Sequence, residues 1–256
     1  MLSATIGNID LAAILFTLFW VFFAGLVIYL RREDKREGYP LDSDRRGVTV
    51  EGFPGMPAPK EFLLAHGGTV SVPRKSADLR PLAAAAAAPH PGAPLVPTGD
   101  PMIDGLGPAS YAERADTPDL TIDEEPRVVP MRVDTTFRVS RNDMQLHDIP
   151  VIAADGQQVG TITDLWVDRS EPQIYYLEAR LNESLGGRSV LIPIGFVDIS
   201  KSRRQVRVDA LYPDQFRNVP ALKSPDQITL LEEDRITAYY AGGLFYADAK
   251  RQEPLL

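Results

Sequence analysis

Twenty consecutive residues without a charged side chain, LAAILFTLFWVFFAGLVIYL at 11–30, constrain this chain more than any other feature. A helix of that length, at about 1.5 Å per residue, spans roughly 30 Å, the thickness of a bilayer's hydrocarbon core. The expected structure is a single transmembrane helix. A secretory signal peptide also sits near an N-terminus, but no Lys or Arg precedes this run and no small-residue cleavage site follows it. Arg31, Arg32, Lys35 and Arg36 stand just after the run, which predicts that residues 1–10 face out and that everything from 31 onward is cytoplasmic. With no Asp, Glu, Lys, Arg or His inside the span, the helix is an anchor and a packing surface, and chemistry belongs to the rest of the chain.

Beyond the anchor, composition removes several classes of function. The chain contains no cysteine, which excludes disulfide frameworks, thiol nucleophiles and cysteine-ligated metal centres. Its 35 acidic against 27 basic side chains give a net charge of −8, a poor match to a phosphate backbone, so no nucleic-acid partner is expected. Between Pro40 and Pro130 there are 15 prolines and a run of six alanines at 83–88. Such a segment forms extended chain and turns rather than long helices or sheets. It also keeps Phe53, Phe62, Leu63, Leu64, Met102, Ile103, Leu106 and Tyr111, too many apolar side chains for a solvated tether. Residues 31–130 are therefore expected to lie along another surface, either their own domain or a partner.

After Pro130 the pattern changes to short strands. VIAADGQQVGTITDLWVD places Asp155-Gly156 between two β-prone runs, the turn chemistry of a hairpin. IYYLEARL, RSVLIPI and the alternating Gln205 to Asp209 supply further strands, which predicts a small antiparallel barrel or sandwich of five or six strands over roughly residues 145–212. Thr229 and Glu232 stand in capping-box spacing ahead of a helix expected from about 230 to 248. Gly242-Gly243 interrupts it, signalling either a close backbone contact or a helix end at Ala241. The domain from 131 to 249 is thus mostly β with a C-terminal helix, followed by a tail at 250–256.

Motifs for nucleophilic catalysis, phosphate loops, zinc pairs and EF-hands are absent, and His66, His90 and His147 lack any paired spacing. Gly105-Leu106-Gly107 reads as a turn. Carboxylates are the remaining chemical resource, at Asp119, Asp123, Glu124 and Glu125, at Asp164, Asp168 and Glu171, and at Glu232, Glu233 and Asp234. As a solvated acidic surface they do nothing chemical. Crowded in a partly desolvated site they cannot all ionise at once, so some titrate near neutrality and can pass protons.

The strings GNIDLAAILFTLFWVFFAGLVIYLRRED and REGYPL resemble the membrane anchor of the H-subunit family of purple-bacterial photosynthetic reaction centres. So do PTGDPMIDGLGPASYAERAD, GTITDLWVD, KSPDQITLLEED and AGGLFYA, in order from about residue 7 to 250. The resemblance implies a single-pass protein of the bacterial inner membrane with a periplasmic N-terminus and a cytoplasmic domain of the PRC-barrel type. It implies a non-catalytic subunit that binds no pigment or metal itself. Its partners would be the L and M subunits, which carry bacteriochlorophyll, bacteriopheophytin, quinones and non-haem iron; antenna proteins and lipids would lie nearby. The implied work is to cap L and M, stabilise the complex and help deliver protons to the secondary quinone. The family's WVD-x-x-E pattern puts proton-path carboxylates at Asp168 and Glu171, and its LLEED string adds Glu233. Relatives have surface histidines where protons enter; this chain has Asp123 and Glu125, whose intrinsic pKa is lower than that of imidazole. A purely structural scaffold without proton traffic is the alternative.

Overall fold

The computed structural model describes residues 5–6, 9–42, 49–65, 67–73 and 80–252; His66 lies outside them. The chain divides into two compact units, Met1–Asp78 with Pro89–Ala93 and Leu79–Ala88 with Pro94–Leu256.

The first unit is built on helix α1, Leu11–Asp34. Asp10 caps it, its side chain accepting a hydrogen bond from the Ala12 N–H at 2.9 Å. The helix is apolar enough to cross a bilayer, and it runs one turn past the uncharged stretch to Asp34. Two of the four basic residues after that stretch do more than mark its end. Lys35 is buried, its Nζ donating to the carbonyls of Glu51 and Pro54 and standing 5.2 Å from the Tyr39 ring. Arg36 donates to the carbonyls of Ala58 at 2.8 Å and Val72 at 3.0 Å, holding the hairpin of β1, Lys60–Leu63, and β2, Thr69–Val72. The proline-rich chain has little ladder of its own, and these cations supply the donors that its carbonyls need.

The second unit is a mixed sheet closed by a helix. Its strands are β3, Val128–Pro130; β4, Pro150–Ala153; β5, Gln158–Asp168; β6, Gln173–Leu181; β7, Ser189–Pro193; β8, Asp198–Ser200; and β9, Gln205–Val208. The order is β7-β6-β5-β4-β9-β8, with β3 paired to the far end of β5. Asp155-Gly156 turns β4 into β5, Gly156 adopting φ +86° as that turn requires. One pairing departs from the antiparallel expectation: β4 and β9 run parallel, Val151 opposite Val206. That pairing sets β9 beside β4, across the chain from the β4–β5 hairpin, and makes the sheet mixed rather than a plain antiparallel meander. Alternate residues point inward, so Val151, Ile162, Leu165, Leu177, Ile192 and Val206 are completely buried, each stabilising the fold by roughly 1.5–3 kcal/mol.

Helix α2, Leu230–Tyr246, packs on this core through Ile236 and Tyr240. The expected capping box is present: Thr229 Oγ1 accepts from the Glu232 N–H at 3.2 Å, and Glu232 Oε2 accepts from the Thr229 N–H at 2.9 Å. The helix passes through Gly242-Gly243 without ending. A Cβ on Gly242 would lie 2.6 Å from that of Ala109, and one on Gly243 would lie 2.5 Å from the carbonyl oxygen of Ala210. The glycines therefore mark close approach. Met102, Leu106 and Ala109 are buried, so this part of the proline-rich segment lies on its own domain. Phe53, Leu63 and Ile122 stay open, at 84, 86 and 95 % exposure.

Gly243→Ala is expected to lower stability by about 1–3 kcal/mol, because overpacking against the Ala210 backbone outweighs alanine's better helix propensity. Denaturant unfolding of the purified chain in detergent checks this; an unchanged or higher midpoint would contradict it.

Candidate functional site

The far end of β5 is where the candidate carboxylates converge, because three strands stop there together. Asp168 pairs with Gln173 of β6 on one side and Val128 of β3 on the other. Arg127 precedes Val128, and its carbonyl accepts from the Arg169 N–H at 2.9 Å, carrying the ladder one residue further. Two arginines and the carboxylate between them thus occupy one edge of the domain.

Asp168 has no exposed surface. Its Oδ2 takes Arg127 Nε and Nη2, both at 2.7 Å. Its Oδ1 takes the N–H groups of Ser170 at 2.7 Å and Glu171 at 3.1 Å, which folds residues 168–171 into a tight turn. Burial pushes the Asp168 carboxyl up, but Arg127 and the two backbone N–H groups outweigh it and hold the pKa below its ordinary value. Glu171 is exposed on the turn, its Oε2 accepting from Gln173 Nε2 at 3.2 Å.

The remaining donors of the two arginines tie the preceding strap to this edge. Arg127 Nη1 lies 3.3 Å from Asp119, while Arg169 pairs with Asp134 at 2.8 Å and with Glu125 at 3.1 Å. Residues 121–125 form a turn in which the Thr121 N–H donates to the Glu125 carbonyl at 2.8 Å and Glu124 takes a left-handed φ of +61°. Asp123 and Glu125 sit on this exposed tip. Glu125 is joined to the edge through Arg169; Asp123 enters no ion pair among the described residues.

The three acidic residues that open α2 have three different roles. Glu232 is the capping residue and also accepts from the Lys223 N–H at 2.7 Å. Asp234 pairs with Arg114 at 3.3 Å. Glu233 is half-buried, and desolvation pushes its carboxyl up to about 7; Asp119 and Asp234 push the same way, against Arg114 and Arg127. It is a carboxyl poised near neutrality beside the Arg127 group.

Residues 3–133, just over half of the chain, match the family described as photosynthetic reaction centre, H-chain N-terminal region. The chain belongs to this family. Residues 143–213 match the PRC-barrel domain, the stretch that holds β4 to β9. This H-chain relative therefore joins an apolar N-terminal helix, a PRC-barrel-type mixed β domain and a C-terminal helix.

A second arginine node lies elsewhere on the barrel. Arg132 reaches Asp164 at 2.9 Å, Glu178 at 2.7 Å and Asp226 at 3.1 Å, and Trp166 Nε1 donates to the same Glu178 at 2.9 Å. A cleft of about 640 Å³ opens beside it and does not reach Asp168, Glu171 or Glu233. Among the described residues, no three of His, Asp and Glu are grouped to hold a metal ion. Sequence reasoning found the carboxylates and missed their partners, Arg127, Arg169, Arg132 and Asp134. The available signal was the position of Arg127 and Arg169 beside apolar strand ends, where a cation needs a counter-charge.

Glu233 makes the stability of the chain depend on pH. Its folded pKa of about 7 stands above the ordinary 4.5, so its stabilising contribution is complete below pH 4.5 and is lost as the pH rises through about 7. Glu233→Gln resembles the protonated form. It is expected to raise the unfolding temperature above pH 7 and leave it unchanged below pH 4.5, as a thermal series in detergent would read. A difference independent of pH would contradict this.

Proposed function

We propose that this chain is the pigment-free H subunit of a reaction centre, capping the cytoplasmic face of L and M, stabilising that assembly and helping protons reach the secondary quinone. The bacteriochlorophyll, bacteriopheophytin, quinones and non-haem iron belong to those partners. The basic flank after α1 supports a cytoplasmic barrel and a periplasmic N-terminus in the inner membrane. The uncovered Phe53 and Leu63 support a linker that lies on partner subunits, since exposed apolar side chains on an extended segment gain from a second surface.

The observation that carries the proton reading is Glu233, a half-buried carboxyl with a pKa near 7 at the acidic end of the barrel. Reducing a quinone creates negative charge under a water-excluding cap, and leaving that charge uncompensated is costly. Carboxylates in series lower the cost by bringing protons inward. Asp123 and Glu125, on the exposed tip, act as collectors; Glu233 holds a proton at neutral pH; Glu171, on the turn fixed by Asp168, completes the relay.

In purified complexes, Glu233→Gln and Glu171→Gln are each expected to slow flash-induced proton uptake and the second electron transfer by roughly tenfold or more. Unchanged rates in both variants, with the complex intact, would leave the purely structural scaffold as the better account.

A further inference from the structure

The family pattern makes Asp168 a proton carrier, yet its surroundings are those of a fixed anion. Its Oδ1 accepts from the Ser170 and Glu171 N–H groups, and its Oδ2 accepts from Arg127 Nε and stands 2.7 Å from the cationic Nη2 of the same guanidinium. An ionised carboxylate offers about four acceptor sites; three are filled by hydrogen bonds and the guanidinium's Nη2 crowds the fourth, so an incoming proton would have to approach against a cation. The side chain has no exposed surface from which a water could deliver one. A carboxylic acid here would also turn an O–H donor against a donor that is already in place.

We infer that Arg127 is a positioning residue: it holds Asp168 as a permanent anion, which takes that carboxylate out of proton traffic and fixes the turn that carries Glu171. The inference rests on the proton-delivery reading only for where the protons are going. Around this pair stand Asp119 from the strap, Arg169 and Glu171 from the strand end and its turn, Tyr175 from β6 and Glu233 from α2. Asp119 shares the same guanidinium but is partly open to solvent, which leaves Asp168 as the group most dependent on Arg127. A lysine at 127 would keep the charge and lose the forked contact, so the two interactions are separable.

The test is the carboxylic C=O infrared signal of the intact reaction-centre complex, titrated across neutral pH. In Arg127→Gln, burial no longer opposed by the guanidinium is expected to create a titrating carboxyl that the wild type lacks. That signal should vanish in Arg127→Gln/Asp168→Asn, a pair that also removes the stranded buried charge. Asp168→Asn alone should remove no titrating signal, a result readable even if Arg127→Gln does not fold. A wild-type signal lost on Asp168→Asn, or no new signal in folded Arg127→Gln, would overturn the inference. Proton uptake recorded on the same samples keeps the two readings apart. If Glu233→Gln and Glu171→Gln leave uptake unaltered, the proton-delivery reading falls while the infrared result still decides the state of Asp168.

Discussion

The pairing of arginine with buried or half-buried carboxylate is the constraint on which the second unit depends. A chain of net charge −8 brings acidic side chains together as its β domain packs, and each such approach is repulsive unless a cation lies between them. Arg127 separates Asp119 from Asp168, Arg169 separates Glu125 from Asp134, and Arg132 holds Asp164, Glu178 and Asp226. Removing one partner of such a pair strands a charge, at a cost of roughly 3–5 kcal/mol when it is deeply buried. The forked guanidinium suits this role because it donates to several acceptors at once in a fixed plane. The same arrangement leaves Glu233 with no ion-pair partner of its own among the described residues, and its carboxyl drifts towards neutrality.

Much of this architecture was legible beforehand. The uncharged run gave α1, Asp155-Gly156 gave the β4–β5 turn, and Thr229 with Glu232 gave the start of α2, because each rests on local chemistry. The parallel β4–β9 pairing was not legible, since strand direction is set by how distant strands assemble into the sheet rather than by any short string. Gly242-Gly243 announced a close approach without saying to what; Ala109 and Ala210 are remote in sequence. The site shows the same division. The acidic clusters were visible as strings, but Glu232, Glu233 and Asp234 look alike in sequence, and tertiary partners alone make one a cap, one a poised acid and one half of an ion pair. Asp168 is the sharpest case, since its character comes from Arg127, forty-one residues away.

The two units divide the labour that the family membership implies. The first is an apolar rod with a short folded collar in which Lys35 and Arg36 satisfy proline-rich backbone. The second is a barrel-type β domain whose edge presents carboxylates in graded environments, from the exposed tip at Asp123 to the half-buried Glu233 and the sealed Asp168. Grading matters physically. A carboxylate open to water exchanges protons readily but holds few at neutral pH, while a desolvated one holds them and needs a neighbour to pass them on.

A structure of the native complex with ordered waters tests the central claim most directly. The account predicts that the edge bearing Glu171 and Glu233 lies under the quinone-carrying partners, with a continuous file of waters from Asp123 and Glu125 inward and around Asp168. That edge open to the cytosol, or no water path from it towards a quinone, would contradict the claim.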